Sequence, residues 1–259
     1  MRHSPVIPGA GSLPLAGGRP PLVAVAHGSR DPRAAATVAA LLDRARLLRP
    51  GLDVRVAYLD HSAPTLGQAL HGLDTAVVLP LLLTEAYHSR VDLPAALNEA
   101  RARDPRLRVR YGATLGPHPL LVSALETRLA EAGVPIGDPE TAVVLVSAGS
   151  SDARANAVIG ELARGWARER GWWAVRAAYA SAAEPTPAQA VAALRRAGAP
   201  RVAVAPYLLA PGFFADKVAR ECGADVVADV LGPAPELAEV LLERYAEAVR
   251  APVAVAAAS

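Results

Sequence analysis

The sequence predicts an α/β protein made of two tandem, duplicated domains. Each has a central, mainly parallel sheet flanked by helices, and a cleft lies between the two. Three observations carry this. Short apolar runs alternate with amphipathic segments, the order that builds parallel strands joined by right-handed helical crossovers. One of those runs, 75–83 (TAVVLPLLL), is apolar almost throughout, as expected of a strand covered on both faces. The same blocks also occur twice in the same order.

The first strand is 22–26 (LVAVA), and it runs into His27-Gly28-Ser29-Arg30. Gly28 suits a tight turn, since it has no Cβ to obstruct close backbone approach. Asp31-Pro32 follows, and apolar residues recur through Leu48, so 31–49 reads as a helix that Pro50-Gly51 ends. A second strand at 53–59 ends in Asp60-His61; alternation along the strand sets His61 on the face opposite Asp60. A short helix spans 65–73. The third strand, 75–83, delivers Thr84-Glu85-Ala86-Tyr87-His88, and a helix is expected over 92–103 with Asp92 as its cap. A fourth strand at 107–111 leads through Gly116-Pro117-His118-Pro119 to a helix ending at Ala132. The strand at 142–146 then restarts the pattern. The expected division is a flexible leader at 1–21, domains at 22–133 and 141–250, a Gly/Pro-rich linker at 134–140, and a tail at 251–259.

The duplication is visible residue by residue. Ala26 to Ala34 aligns with Ser147 to Ala155, with Gly, Ser, Asp, Arg and Ala recurring at one offset (149 − 28 = 121). Tyr58…Pro64-Thr65 recurs as Tyr179…Pro185-Thr186 at the same offset. Val78-Leu79-Pro80 recurs as Val204-Ala205-Pro206, and Leu115-Gly116-Pro117 as Leu231-Gly232-Pro233.

The two copies act as an internal control. A residue needed only by the scaffold should persist in both. His27 is matched by Ala148, Asp60 by Ser181, and His88 by Phe214 (214 − 88 = 126, the offset of Pro80 and Pro206). All three first-half residues fall just past the carboxyl ends of strands, where open α/β sheets bind ligands. Two imidazoles and a carboxylate can hold a divalent metal. Their joint loss from the second copy points to function, and to one site per chain. Glu85, close to His88, reads either as a base or as a solvated loop glutamate. Arg30, Arg90, Arg154 and Lys217 occupy the same loops and together could receive the carboxylates of an acidic ligand. Phe213 and Phe214 read either as an apolar face for a ligand or as two buried core aromatics. His71, on a predicted helix, reads as surface; His118, replaced by Ala234 in the second half, is peripheral to the site or has no role in it.

Composition narrows the classes. There are 27 basic and 25 acidic residues, a net charge of +2, which is too balanced for a nucleic-acid-binding surface. No run approaches the roughly 18 apolar residues of a membrane span. A single cysteine, Cys222, excludes a disulfide framework and a cysteine-rich zinc site and fits a cytoplasmic protein. No GxGxxG, GxxxxGK[ST] or GxSxG occurs at a strand–helix junction, which argues against dinucleotide, P-loop and serine-hydrolase chemistry.

The Ala26-His27-Gly28-Ser29-Arg30 block, Tyr58-Leu59-Asp60, and the 83–94 block with His88, Asp92 and Pro94 resemble the sirohydrochlorin chelatases. These are class II chelatases of the cobaltochelatase and siroheme ferrochelatase type. The resemblance runs from Leu22 to about Arg250. It implies a chelatase-like, Rossmann/flavodoxin-like fold and a lyase that inserts Fe²⁺ or Co²⁺ into sirohydrochlorin, in siroheme or cobalamin biosynthesis. It implies histidine ligands at His27 and His88, with Asp60 as ligand or base and Glu85 as a second base; Ser29, Arg30, Arg90 and Phe214 would contact the macrocycle. The metal (Fe²⁺, Co²⁺ or Ni²⁺) is substrate, and no organic cofactor is implied. The expected partner is the tetrapyrrole, with no nucleic acid and no membrane, and the protein would act as a monomer or homodimer. Asp60 departs from the glutamate common in the family, and Ala86 from its glycine. A non-catalytic tetrapyrrole or metal carrier would use the same residues.

Overall fold

The computed structural model describes residues 18–84 and 87–251, with residues 87–91 described by their backbone alone. The expected leader up to residue 17, the tail from residue 252, and Glu85 lie outside the described residues.

Each half is a four-stranded parallel sheet. In the first, β1 (Leu22–Ala26), β2 (Val54–Tyr58), β3 (Thr75–Pro80) and β4 (Arg108–Tyr111) lie in the order β2-β1-β3-β4. In the second, β5 (Thr141–Ser147), β6 (Ala174–Tyr179), β7 (Arg201–Pro206) and β8 (Val226–Val227) repeat it as β6-β5-β7-β8. The connecting helices are α1 (Pro32–Leu48), α2 (Leu66–Leu70), α3 (Tyr87–Arg103) and α4 (Pro119–Glu131), then α5 (Ala153–Glu169), α6 (Pro187–Arg196), α7 (Phe213–Glu221) and α8 (Pro235–Arg250). The strand order reverses between β1 and β3 and again between β5 and β7, so each half has a crevice at that switch point.

The elements follow the sequence closely. Asp31 caps α1 by accepting the Arg33 N–H, and Thr65 and Thr186 form capping boxes with Gln68 and Gln189. The change of repeat offset from 121 to 126 residues is the difference between α6, ten residues, and α2, five. Three boundaries differ from expectation by three residues or more. Helix α2 stops at Leu70 rather than at residue 73. The β3 ladder stops at Pro80, and Leu81 to Thr84 line the cleft instead of continuing the strand. Helix α3 starts at Tyr87 rather than near 92, so Asp92 lies inside it and is no cap. Pro94, a residue suited to a first turn, is carried in the helix interior.

Strand residues alternate between two layers. Val23 and Val25 pack outward under α2 and α3, whereas Leu22, Ala24 and Ala26 face a core shared by both halves. That shared core exists because the last helix of each half covers the sheet of the other. Helix α8 lies on β3 and α1, α4 lies on β7, and the two helices pack together. The buried Glu126 of α4 strengthens this exchange: it accepts from Trp166 Nε1 at 2.9 Å and from Arg170 Nε at 2.7 Å, both in the second half. No helix among the described residues is long and apolar enough to cross a membrane.

Candidate active site

His27 is the first residue beyond β1, and it is exposed at the switch point of the first sheet. Its position follows from the backbone around it. The His27 carbonyl accepts from the Asp60 N–H at 2.9 Å, extending the β1–β2 pairing by one step. The chain then turns at Gly28, with φ of +99°, so close beneath the next loop that a Cβ would stand 1.7 Å from the Asp60 carbonyl oxygen. Only glycine fits there. Ser29 Oγ accepts the Asp31 N–H at 3.0 Å and closes the turn into α1.

The second half builds the same turn without the histidine. Gly149 has φ of +87°, its Cβ would lie 1.9 Å from the Ser181 carbonyl, and Ser150 Oγ accepts from Asp152 N–H at 3.0 Å. Gly28, Ser29 and Asp31 thus serve the turn in both copies. At the ligand positions the second half has Ala148 and Ser181, whose hydroxyl donates to the Ala148 carbonyl at 2.9 Å. Phe214 stands on the first turn of α7, partly exposed, with Phe213 beside it at 5.5 Å between ring centroids.

Asp60 follows β2 and is exposed, and its partner is one the sequence pattern did not foresee. His61 does not point away. It adopts φ of +57°, its N–H donates to Asp60 Oδ1 at 2.7 Å, and its ring Nε2 lies 3.1 Å from Asp60 Oδ2. Strand alternation had already ended at Tyr58, and the left-handed residue folds the ring back over the carboxylate. Ala182 holds the matching conformation in the second half, φ of +56°, so the backbone device is shared and the imidazole is not. His88 and Arg90 belong to the first turn of α3, which follows the β3 end of the same crevice; their side chains, like Glu85 as a whole, lie outside the described residues. Arg30 is exposed on the loop after Ser29. Among the described residues no three His, Cys, Asp or Glu side chains gather into a metal-binding cluster.

Two remaining histidines are placed plainly. His71 is the exposed C-cap of α2. His118 caps α4: its Nδ1 accepts from Leu120 N–H, which leaves the proton on Nε2 to face Glu243 Oε2 at 3.1 Å. That is a structural role.

The cleft between the halves is a cavity of about 210 Å³. Leu81 to Thr84 wall it from the first half, Ser147 to Ser150 and Tyr207 from the second. Tyr207 is buried, its hydroxyl donates to the Leu83 carbonyl at 3.2 Å, and burial pushes its phenol pKa up, so it stays a neutral donor. An ion pair joins the two halves: Arg33 Nη2 of α1 lies 2.6 Å from Asp216 Oδ2 of α7 and equally close to Asp31 Oδ2. The Arg33 guanidinium beside Asp31 holds that carboxyl below its usual range. Sequence reading missed this clasp, because nothing local to residue 33 or 216 announces a partner 183 positions away.

A family model, CbiX, matches the chain twice, over residues 21–132 and 142–248. The chain belongs to the CbiX family. The double match coincides with the two sheets described above. A sirohydrochlorin cobaltochelatase of Priestia megaterium is 28% identical over 251 residues, covering 88% of this chain and 80% of its own. A sirohydrochlorin ferrochelatase of the same organism is 29% identical, covering 76% of each chain. Among solved structures, SirB from Bacillus subtilis with Fe³⁺ superposes with a TM-score of 0.79 at 24% identity, over 90% of this chain and 96% of that one. The structural likeness establishes that this CbiX-family chain shares the two-sheet fold.

Proposed function

We propose that this protein inserts a divalent metal, Fe²⁺ or Co²⁺, into sirohydrochlorin. The carrying observation is that the family match spans both halves while histidine stands at the switch point of only one. The relatives named as sirohydrochlorin cobaltochelatase and ferrochelatase align over most of the chain, in agreement with this.

The chemistry asks for two things. The ion must be held loosely enough to be surrendered to four pyrrole nitrogens, and two pyrrole protons must be removed. Neutral imidazoles at His27 and His88 suit the first, since they bind borderline divalent ions reversibly. Asp60 or Glu85 suits the second as proton acceptor. Asp60 is exposed, and its one charge partner among the described residues is His61. Ser29, Arg30, Arg90 and Phe214 would orient the macrocycle, whose flat ring would lie across the cleft rather than inside it, since the 210 Å³ cavity is smaller than a pocket that engulfs even a drug-sized ligand, roughly 300 Å³ or more. In this reading residues 22–133 carry the site, 134–140 link, and 141–250 form the opposing wall. Ni²⁺ is a third candidate substrate, and the single buried thiol of Cys222 fits a cytoplasmic setting.

An anaerobic assay of purified protein with sirohydrochlorin and Fe²⁺, Co²⁺ or Ni²⁺, followed by the absorbance change on metallation, tests this. Acceleration over the uncatalysed rate with Fe²⁺ or Co²⁺ is expected. A rate equal to the protein-free control with all three metals would leave only the carrier role.

A further inference from the structure

The exchange of α4 and α8 relates the halves as a pseudo-two-fold pair, so contacts between them can come in mates. One such pair is clear. Arg128 of α4 donates Nε to the Leu231 carbonyl at 3.2 Å and pairs with Glu131. Arg244 of α8 donates Nε to the Thr114 carbonyl at 3.0 Å and pairs with Glu247, each 116 residues on (244 − 128 and 247 − 131).

The ion pair between Arg33 of α1 and Asp216 of α7 has no mate. At the offsets of the repeat, Arg33 corresponds to Arg154 (33 + 121) and Asp216 to Arg90 (216 − 126). The edge where α1 meets α7 therefore carries a base and an acid. The pseudo-symmetric edge, from the first turn of α5 to the first turn of α3, carries two arginine positions.

Arg154 differs from Arg33 accordingly. The Arg33 guanidinium is held on two sides, by Asp31 and Asp216. Asp152, the counterpart of Asp31, accepts only the backbone N–H of Arg154, at 2.9 Å. The exposed Arg154 guanidinium has no ion-pair partner among the described residues. It lines a pocket of about 310 Å³ together with Arg244, Asp152, Thr114 and Pro117. Ala155 borders both this pocket and the 210 Å³ cavity of the cleft, so the two spaces adjoin.

We propose that this second edge is a carboxylate subsite, with Arg154 binding a peripheral carboxylate of the macrocycle while the Arg33–Asp216 clasp holds the opposite edge. The inference rests on the tetrapyrrole reading above. Its physical basis is that a guanidinium fork matches a carboxylate in two parallel hydrogen bonds. Among the described residues the Arg154 fork is in no ion pair, with Asp152 in the same pocket spent on the backbone N–H, so this edge is open to an anionic ligand, whereas the clasped edge is already satisfied.

Binding of metal-free sirohydrochlorin, followed by its fluorescence, tests this on wild type, Arg154→Gln and a control, Arg196→Gln on the far helix α6. The esterified, uncharged macrocycle is titrated in parallel. Arg154→Gln is expected to raise Kd for the acid form about tenfold at low salt, the loss of one charge-assisted contact. The gap should narrow at high salt, and the ester should bind wild type and variant alike. Arg196→Gln should match wild type. Equal affinity of Arg154→Gln and wild type for the acid form overturns the subsite, and so does an equal loss for acid and ester. Wild type that binds neither form overturns the chelatase reading and this inference with it.

Discussion

At the scale of single residues, the duplicate separates what holds the turn from what the turn presents. Gly28 and Gly149 both run beneath a carbonyl at distances no Cβ could occupy, so the glycine is scaffold. Gly28→Ala is expected to cost more than about 2 kcal/mol in urea unfolding, from the left-handed φ and the clash together. Gly149→Ala should cost a similar amount, and a variant with wild-type stability would show that the loop relaxes easily. His27 is the opposite case: the turn survives as Ala148 without it. His27→Ala, and likewise His88→Ala, should cut metal insertion by at least a hundredfold while leaving the unfolding midpoint nearly unchanged, and His71→Ala should do neither. Wild-type rates in both His27→Ala and His88→Ala would refute the ligand roles. His27 and Asp60 were legible in the sequence because strand ends are legible, and the second copy gave a contrast at each. The turning back of His61 onto Asp60 was not, because it depends on one left-handed residue that no apolar pattern encodes.

At the scale of elements, strands β1 to β4 and their helices could be read from alternation and caps, to within about a residue except at the start of α3 and the ends of α2 and β3. The misses at α3 and β3 lie at the crevice, where the chain departs from regular spacing to shape a wall. The ion pair between α1 and α7 was out of reach of any such reading, since it joins two helix starts from different halves. It has a pH signature. The carboxyl of Asp31 is lowered by its hydrogen bonds to Arg33, so its contribution to stability is fully present above the unfolded value of about 3.9 and is lost as pH falls through the lower folded value. The difference in urea midpoint between wild type and Arg33→Gln should therefore hold steady from pH 7 to about pH 4.5 and shrink below pH 4. A difference that persists undiminished into stronger acid would mean that Arg33 acts through packing of its alkyl stem instead of through Asp31 and Asp216.

At the scale of the whole molecule, the repeat suggests two units that could stand apart, whereas the helices have been traded. The inner face of the first sheet is covered by α8, whose Leu237, Ala238, Val240, Leu241, Tyr245 and Ala248 are buried. Tyr245 also donates its hydroxyl to the Pro20 carbonyl at 2.7 Å, and Arg110 reaches the Val249 carbonyl, so the end of the chain is tied to both margins of the first half. The sequence could not announce this exchange, because an amphipathic helix at the end of a repeat shows which face it buries but not on which sheet. The consequence is cooperative. One core cluster runs through both halves, so the chain should unfold in urea as a single transition with one midpoint by far-UV circular dichroism and tryptophan fluorescence. Removing residues 235–259 strips α8 from β3 and α1, leaving apolar surface of the first sheet in water. That truncated chain, although it keeps every residue of the first half, is expected to lose the sharp transition, to bind 8-anilinonaphthalene-1-sulfonate, and to lose metal insertion. Residues 18–133 alone should fare no better. Cooperative unfolding of that fragment at a midpoint near the full chain's would show that the first half carries its own core and that α8 is dispensable.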